Sequence, residues 1–277
     1  MGAAPQRSHT EQTAVITAFT DAATPALGLS ATDFVIREDG LNREVIRVVA
    51  APPPSHVMLL IDDSQAAERS IPFLRTAATA FITQMASQTP APQIAVMTFG
   101  ERPTMRADFV AGPDAALTAA GKLFATPGTG SYFLQALMDA SKNLTKRSAT
   151  SPVVVAFVAD SGPEFSSERR EQVQSAMQRA NAALWAVVLQ SPSKMDQTHE
   201  GLERQAVLGD VVRETGGFTR TVLSDQSVAP GFEGVAALIK SRYLVTYSRP
   251  DQLIPPKNVE VTTKRPDVKV LASRWAK

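Results

Sequence analysis

The stretch Val57-Met58-Leu59-Leu60-Ile61-Asp62-Asp63-Ser64 decides the fold of this 277-residue chain. Five consecutive apolar residues are typical of a strand that is buried on both faces, as in a parallel sheet. The acidic and hydroxyl residues that follow at once indicate a polar loop at the strand's carboxyl end. We therefore expect residues 57–61 to form a central strand, with Asp62 and Ser64 at the edge of the sheet.

The residues that follow alternate between strand-like and helix-like patterns. Further apolar strand runs lie at 94–99, 107–110, 153–158, 184–189 and 218–222. Between them, helical stripes of apolar residues lie at 71–85, 133–144, 173–180, 202–215 and 233–240. Strand–helix alternation predicts an α/β fold, a doubly wound and mostly parallel sheet with helices on both faces.

Both ends of the chain are β-rich. Short strand runs lie at 15–19, 34–38 and 44–49 near the start, and at 243–247, 259–263 and 268–272 near the end. Asp39-Gly40, between the second and third runs, predicts a hairpin. Because three strands form only a marginal sheet by themselves, we expect both ends to pair into one small antiparallel β-sandwich.

Three consecutive prolines, Pro52-Pro53-Pro54, stiffen the chain and end any strand, so they predict a domain boundary. The predicted organisation has four ranges. They are a disordered tail over 1–12, a β-sandwich subdomain made of 13–54 and 243–277, and an α/β domain over 55–242.

Composition excludes several classes of function. The net charge is only +1 and no basic cluster stands out, which argues against a nucleic-acid-binding protein. The absence of cysteine excludes disulfide scaffolds and thiolate metal sites. No apolar run is long enough for a membrane span. The polar N-terminus leaves two localisations open: cytoplasmic, or extracytoplasmic with a leader removed before residue 1.

Two predicted strands end in loops that carry oxygen ligands. Asp62 and Ser64 follow the first strand, and Asp160 follows the strand at 153–158. In doubly wound sheets, ligands bind beyond the carboxyl ends of the strands, and hard cations prefer oxygen donors of this kind. A structural alternative stays open, in which both aspartates cap the helices that follow.

Residues 57–66 resemble the first strand and loop of von Willebrand factor A domains, where the motif is Asp-x-Ser-x-Ser. Asp62 and Ser64 match this motif, and Ala66 replaces its last serine. The run 153–162 resembles the strand that ends in the family's second aspartate, here Asp160.

A third segment, residues 130–137, is similar to the family's Gly-Thr segment and the Ala-Leu helix after it. It puts Ser131 at the family's threonine position, with Thr129 as the alternative. Residues 28–40, 243–247 and 274–275 also resemble the acidobacterial proteins known as VWFA-related. The likeness therefore extends over nearly the whole chain.

The resemblance implies a metal-ion-dependent adhesion site with four metal ligands: Asp62, Ser64, Ser131 and Asp160. In the family, a metal that is usually Mg²⁺ keeps one coordination position open for an acidic residue of a protein partner. Ala66 lacks a ligand hydroxyl, so we expect Mg²⁺ binding to be weak or absent.

Three functions are compatible with these motifs. The first is a non-enzymatic protein-binding module for adhesion or assembly, and the second is a metal-free structural scaffold. The third, a metal-dependent hydrolase, is opposed by the missing phosphate loop and the missing histidine base. The resemblance also implies an extracytoplasmic protein, periplasmic or secreted, of bacterial origin. The sequence determines neither the partner nor the oligomeric state.

Overall fold

The computed structural model describes residues 9–190, 196–251 and 255–275. The chain divides into two compact units: residues 53–240, and residues 1–52 together with 241–277. The first is called the α/β unit below and the second the β unit. Their borders differ by two residues from the predicted ones, and independent folding of the predicted domains stays a prediction.

A six-stranded sheet with the order β10-β9-β8-β5-β6-β7 forms the centre of the α/β unit. Its strands are β5 (His56–Ile61), β6 (Gln93–Thr98), β7 (Thr104–Ala107), β8 (Val153–Ala159), β9 (Ala183–Leu189) and β10 (Thr219–Val222). All neighbours pair in parallel except β7, which is antiparallel to β6. The predicted mostly parallel sheet is therefore confirmed.

Seven helices accompany this sheet within the described ranges. They are α1 (Ile71–Ala86), α2 (Asp114–Gly121), α3 (Phe133–Lys146), α4 (Arg170–Ala180), α5 (His199–Ala206), α6 (Val212–Glu214) and α7 (Val228–Lys240). A 3-10 helix over Gln65–Ser70 precedes α1, and a π-helical segment over Val207–Val211 joins α5 to α6. α1 packs against α2 and α7, whereas α3 packs against α4.

Two elements of the α/β unit differ from the sequence prediction. β7 covers Thr104–Ala107 rather than 107–110, because the chain leaves the sheet after Ala107 and Asp108 instead binds Arg147. α2 is not predicted at all. Its buried residues are alanines, so no large apolar side chains mark its stripe in the sequence.

The β unit consists of two antiparallel sheets. One has the order β13-β1-β11-β4 and the other β12-β2-β3. The strands are β1 (His9–Thr20), β2 (Phe34–Glu38), β3 (Leu41–Arg43), β4 (Val45–Ala50), β11 (Tyr243–Pro250), β12 (Val259–Thr263) and β13 (Val268–Ala272). Side chains from both sheets share one apolar core, including Ile16, Ile36 and Val245. This confirms the predicted sandwich from both ends of the chain.

Two details of the β unit correct the prediction. The expected tail over 1–12 is wrong for its last four residues, because β1 begins at His9 and pairs with β11; residues 1–8 lie outside the described ranges. Backbone pairing orders this stretch although its side chains are polar. The Asp39-Gly40 hairpin exists, with both residues at positive φ, but its second strand is β3 rather than 44–49. β4 pairs with β11 instead.

A buried carboxylate ties the two sheets of the β unit together. Glu38 ends β2 and is 1% exposed. Its Oε1 accepts hydrogen bonds from Tyr247 (2.9 Å) and from Nε of Arg249 (2.7 Å), and its Oε2 accepts one from Arg43 (2.8 Å). Burial alone would raise the pKa of Glu38, but the hydrogen bonds from these three side chains outweigh it and lower the pKa.

Within the described ranges, no helix has both the length and the apolar character needed to cross a bilayer.

We predict that Glu38→Gln lowers the free energy of unfolding of the β unit by about 2–4 kcal/mol, because the amide leaves two cations underpaired. Native-state hydrogen exchange of β1 and β11 measures this. The carboxylate contributes above the unfolded pKa of about 4.3, and the contribution is lost as pH falls through the lower folded pKa. The difference in the free energy of unfolding between the parent and Glu38→Gln should therefore become smaller in acid.

Glu44→Gln is the matched control, because Glu44 is an exposed glutamate of the same unit. It should change exchange by less than about 0.5 kcal/mol. Equal effects of the two substitutions would show that the buried cluster does not stabilise the sandwich.

We also predict that residues 1–54 do not fold alone, whereas residues 53–240 do. β1 has both of its partners, β11 and β13, in the C-terminal segment, and a short isolated sheet is marginal. Circular dichroism and proton NMR of the two fragments check this. Dispersed amide resonances from the isolated N-terminal fragment would contradict it.

Candidate functional site

The carboxyl edge of the six-stranded sheet carries acidic and hydroxyl side chains. β5 and β8 are parallel neighbours, and the strand order runs outward from this pair in both directions. This is the topological switch point, where doubly wound sheets bind ligands. Asp62 follows β5 and Asp160 follows β8, so these two predicted site residues come from adjacent strands.

Asp62 is fully buried and holds the two central loops together. Its Oδ1 accepts a hydrogen bond from the backbone N–H of Ser64 (3.0 Å), and its Oδ2 accepts one from that of Ala159 (3.1 Å). Burial raises the pKa of Asp62, although these hydrogen bonds and the charge of Arg204 oppose the shift. Asp62 therefore stabilises the two loops through these hydrogen bonds, whether or not it also binds a ligand.

Ser64 is fully buried, and its side chain acts on the carboxylate of Asp62, whose pKa it lowers. The loop after β8 approaches closely here, since a Cβ added to Gly162 would lie 2.8 Å from Cβ of Ala66 and 3.7 Å from Ser64 Oγ. Glycine at 162 thus allows the two loops to touch.

Asp63 is buried and binds the segment that follows β6. It is 3% exposed, its Oδ1 accepts a hydrogen bond from the backbone of Gly100 (2.6 Å), and its Oδ2 pairs with Arg106 (3.2 Å). A Cβ on Gly100 would lie 2.5 Å from the Asp63 backbone. Asp63 therefore fixes the first loop to the end of β6.

The hydroxyls of Ser131 and Thr129 bind different loops. Ser131 is fully buried, and its Oγ donates to Oε2 of Glu164 (3.1 Å). Its backbone N–H also donates to the carbonyl of Pro163 (2.8 Å). The Thr129 hydroxyl instead donates to the carbonyl of Thr126 (2.8 Å). The choice between Ser131 and Thr129 as a site residue stays a prediction.

Two buried charged residues of the site, Glu164 and Arg204, are not predicted from the sequence. Burial raises the pKa of Glu164 to about 6, against hydrogen bonds from Ser166 and Ser131. The side chain of Arg204 is fully buried, and its Nη2 lies 3.4 Å from Oδ1 of Asp160. Helical spacing gives one signal for Arg204, since it precedes buried Val207 by three residues on the same helical run.

A match at the sequence level identifies the family of this region. The family model for the von Willebrand factor type A domain matches residues 57–163, from β5 to the loop beyond β8. The α/β unit is a von Willebrand factor A domain. This confirms the resemblance drawn from the motifs, while the acidobacterial subtype stays a prediction. No curated protein sequence matches the chain.

Solved structures of von Willebrand factor A domains share the fold. A von Willebrand factor type A protein from Catenulispora acidiphila aligns over 98% of this chain and 74% of its own length, with 13% identity and a TM-score of 0.51. The vWF domain of the pilus tip protein Mfa5 from Porphyromonas gingivalis aligns over 69% of this chain and 96% of its own, with 10% identity and a TM-score of 0.51.

A third similar structure is that of proximal thread matrix protein 1 from the mussel byssus, with a zinc-occupied MIDAS motif. It has 12% identity and a TM-score of 0.54, and the alignment covers 73% of this chain and 49% of that protein. This chain therefore spans about half of the mussel protein. At these identities, all three likenesses show the fold alone.

The side chains present do not fit a divalent ion in this von Willebrand factor A domain. The hydroxyl oxygens of Ser64 and Ser131 keep lone pairs that suit an ion, but Asp160 already faces the guanidinium of Arg204. Ala66, at the last serine position of the Asp-x-Ser-x-Ser motif, carries only a methyl group. Mg²⁺ demands a nearly complete octahedral oxygen shell, and a fixed positive charge beside it opposes binding.

We predict that Asp62→Asn lowers the free energy of unfolding of the von Willebrand factor A domain by about 2–3 kcal/mol. The amide has a single acceptor oxygen, so one backbone N–H that now binds a carboxylate oxygen would face an NH₂ group. Urea unfolding followed by Trp185 fluorescence, in a Trp275→Phe background, measures the loss.

The control is Asp114→Asn, at an exposed acid in the first turn of α2. It should cost no more than about 0.5 kcal/mol. If Asp62→Asn were equally mild, the hydrogen bonds to Ser64 and Ala159 would not hold the two loops.

Proposed function

We propose that this von Willebrand factor A domain is a non-enzymatic protein-binding module. Its contact surface would be the loop face, defined here as residues 62–66, 124–132 and 160–166. The observation that carries the proposal is the pair of exposed aromatic side chains in the loop face, Phe124 and Phe165, which are 53% and 54% exposed. Buried aromatic anchors dominate the binding free energy of many protein interfaces.

Phe165 is held in place before any partner arrives. A Cβ added to Gly130 would lie 2.3 Å from the Phe165 ring, so the ring occupies the space that only glycine leaves free. The ring of Tyr132 lies 6.0 Å away, between centroids, in a tilted contact. An anchor fixed in this way loses little conformational entropy on binding.

Phe124 stands beside a cavity that suits a partner's side chain. The cavity has a volume of about 590 Å³, and Asp63, Arg106, Lys122 and Phe124 lie in its wall. The guanidinium of Arg106 lies 5.3 Å from the centre of the Phe124 ring. The wall therefore combines apolar surface with charges of both signs, as binding pockets usually do.

The chemistry of the loop face supports binding rather than catalysis. His56 lies at the start of β5, at the opposite edge of the sheet, and His199 is an exposed residue at the start of α5. The hydroxyl of Ser131 donates to a carboxylate rather than to a histidine. These positions supply no hydroxyl with an adjacent histidine base, which disfavours the hydrolase alternative.

We further propose that Asp62, Ser64, Ser131 and Asp160 constitute a degenerate metal-ion-dependent adhesion site, with Mg²⁺ binding weak or absent. The occupied hydrogen bonds and the missing hydroxyl at Ala66 support this. An extracytoplasmic, bacterial protein remains part of the proposal, on the resemblance alone. A metal-free structural scaffold is the second candidate, favoured by the internal pairing of the acidic side chains.

Affinity capture from an extract of the source cells tests the binding proposal, with the purified full chain as bait. We predict that Phe165→Ser lowers the recovery of at least one specific protein by about tenfold or more, because losing an aromatic anchor typically costs over 1.4 kcal/mol. Quantitative mass spectrometry against the parent measures recovery.

Val110→Ser is the matched control. Val110 is an exposed apolar residue, 46% exposed, and follows β7 near His56 and Phe109, at the amino edge of the sheet. Recovery should equal that of the parent. Identical recovery with all three baits would refute the assigned loop face, and the absence of any specific protein would favour the scaffold.

A further inference from the structure

Arg204 is a fully buried arginine with an unusual set of partners. Its Nη1 donates to the carbonyl of Gly162 (2.9 Å) and lies 3.9 Å from Oε2 of Glu164. Its Nη2 donates to the carbonyl of Asp160 (3.2 Å) and lies 3.4 Å from the carboxylate of the same residue. One guanidinium thus contacts both the backbone and the acids of the loop after β8.

The buried carboxylates around Arg204 are stabilised by its positive charge. Asp62, Asp160 and Glu164 are 0%, 7% and 2% exposed, and the charge of Arg204 acts on each of them. Several buried carboxylates without a cation would be strongly unfavourable. Among the described residues, the ion pairs of Asp160 and Glu164 both involve Arg204.

The helix that carries Arg204 is anchored to the same loop. Thr198 caps α5 by accepting a hydrogen bond from the backbone of Gly201 (3.1 Å). Asp196, just before the cap, accepts a hydrogen bond from the backbone N–H of Glu164 (3.0 Å). A Cβ on Gly201 would lie 2.4 Å from Cγ of Asp196, so the helix start packs tightly there. The guanidinium is therefore held in position by its own element.

We propose that Arg204 is the resident cation of this site: it pairs with Asp160 and Glu164, it reduces the repulsion among the acids at the switch point, and no divalent metal is needed there. The inference concerns the same residues as the proposed function but does not depend on protein binding. The burial of Arg204 also limits which groups of the site a partner can contact. The guanidinium is buried, so a partner's carboxylate cannot reach it, and recognition falls to the exposed parts of the loop face.

The test measures the unfolding temperature, Tm, of the full chain with chelator and with Mg²⁺, Mn²⁺ or Zn²⁺, in the absence of any partner. At about 5 mM metal, a site with a dissociation constant of about 50 µM would raise Tm by about 5–10 °C. We expect a shift below about 1 °C for the parent, because Arg204 already supplies the charge.

Arg204→Met should behave differently. In chelator its Tm should fall, because the acids lose their cation. Divalent metal should restore part of that loss, because the freed carboxylates can then bind an ion. Arg213→Met is the matched control, since Arg213 is 65% exposed and its side chain binds only close in sequence, to Asp210 in a surface ion pair and to the carbonyl of Gly209. Its Tm should equal that of the parent under all conditions.

A parent Tm that rises by several degrees with metal would overturn the proposal, and so would an Arg204→Met variant that responds to metal no more than the parent. If Arg204→Met does not fold, Asp160→Asn decides instead. The proposal expects no metal response in either the parent or Asp160→Asn. A metal site would give a response in the parent that Asp160→Asn removes. Neither result bears on partner capture, so this proposal and the proposed function can fail separately.

Discussion

The pairing of β5 with β8 is the constraint on which the rest of the α/β unit depends. Asp62 extends this pairing beyond the strands, since its backbone N–H donates to the carbonyl of Phe157 and its carboxylate accepts from Ala159. A side chain thus continues the hydrogen-bond ladder where the backbone diverges. Because both loops leave from this point, Ser64 and Asp160 have little freedom to be anywhere else.

The sequence predicts the parts of the fold that depend on local pattern. The uninterrupted apolar runs of β5, β8 and β9 are buried on both faces, as expected for central parallel strands. α2 is not predicted because its buried residues are alanines, which do not form a recognisable stripe of large apolar side chains. The residues of the candidate site also fall into a predictable and an unpredictable group. Asp62 and Asp160 follow strongly predicted strands, whereas the partnership of Arg204 with Asp160 joins residues 44 positions apart and depends on tertiary packing.

Among the described residues, the Glu38 cluster of the β unit and the Arg204 cluster of the α/β unit differ in charge balance. Glu38 in the β unit has two arginines and a tyrosine for one carboxylate, so its pKa is lowered. In the α/β unit one arginine serves several acids, and the pKa of Asp62, Asp160 and Glu164 is raised. The acids at the carboxyl edge of the sheet thus share the cation of Arg204, whereas the carboxylate of Glu38 pairs with two arginines.

The pairing of β1 with β11 has a consequence for synthesis on the ribosome. Thr10 pairs with Arg249, so this part of β1 has no partner in β11 until another 239 residues have been made. At elongation rates of about 5–20 residues per second, this delay is about 10–50 s. The α/β unit can emerge complete in that time. Thr10, Glu11 and Gln12 give the waiting strand a polar start, which disfavours its pairing with other nascent chains.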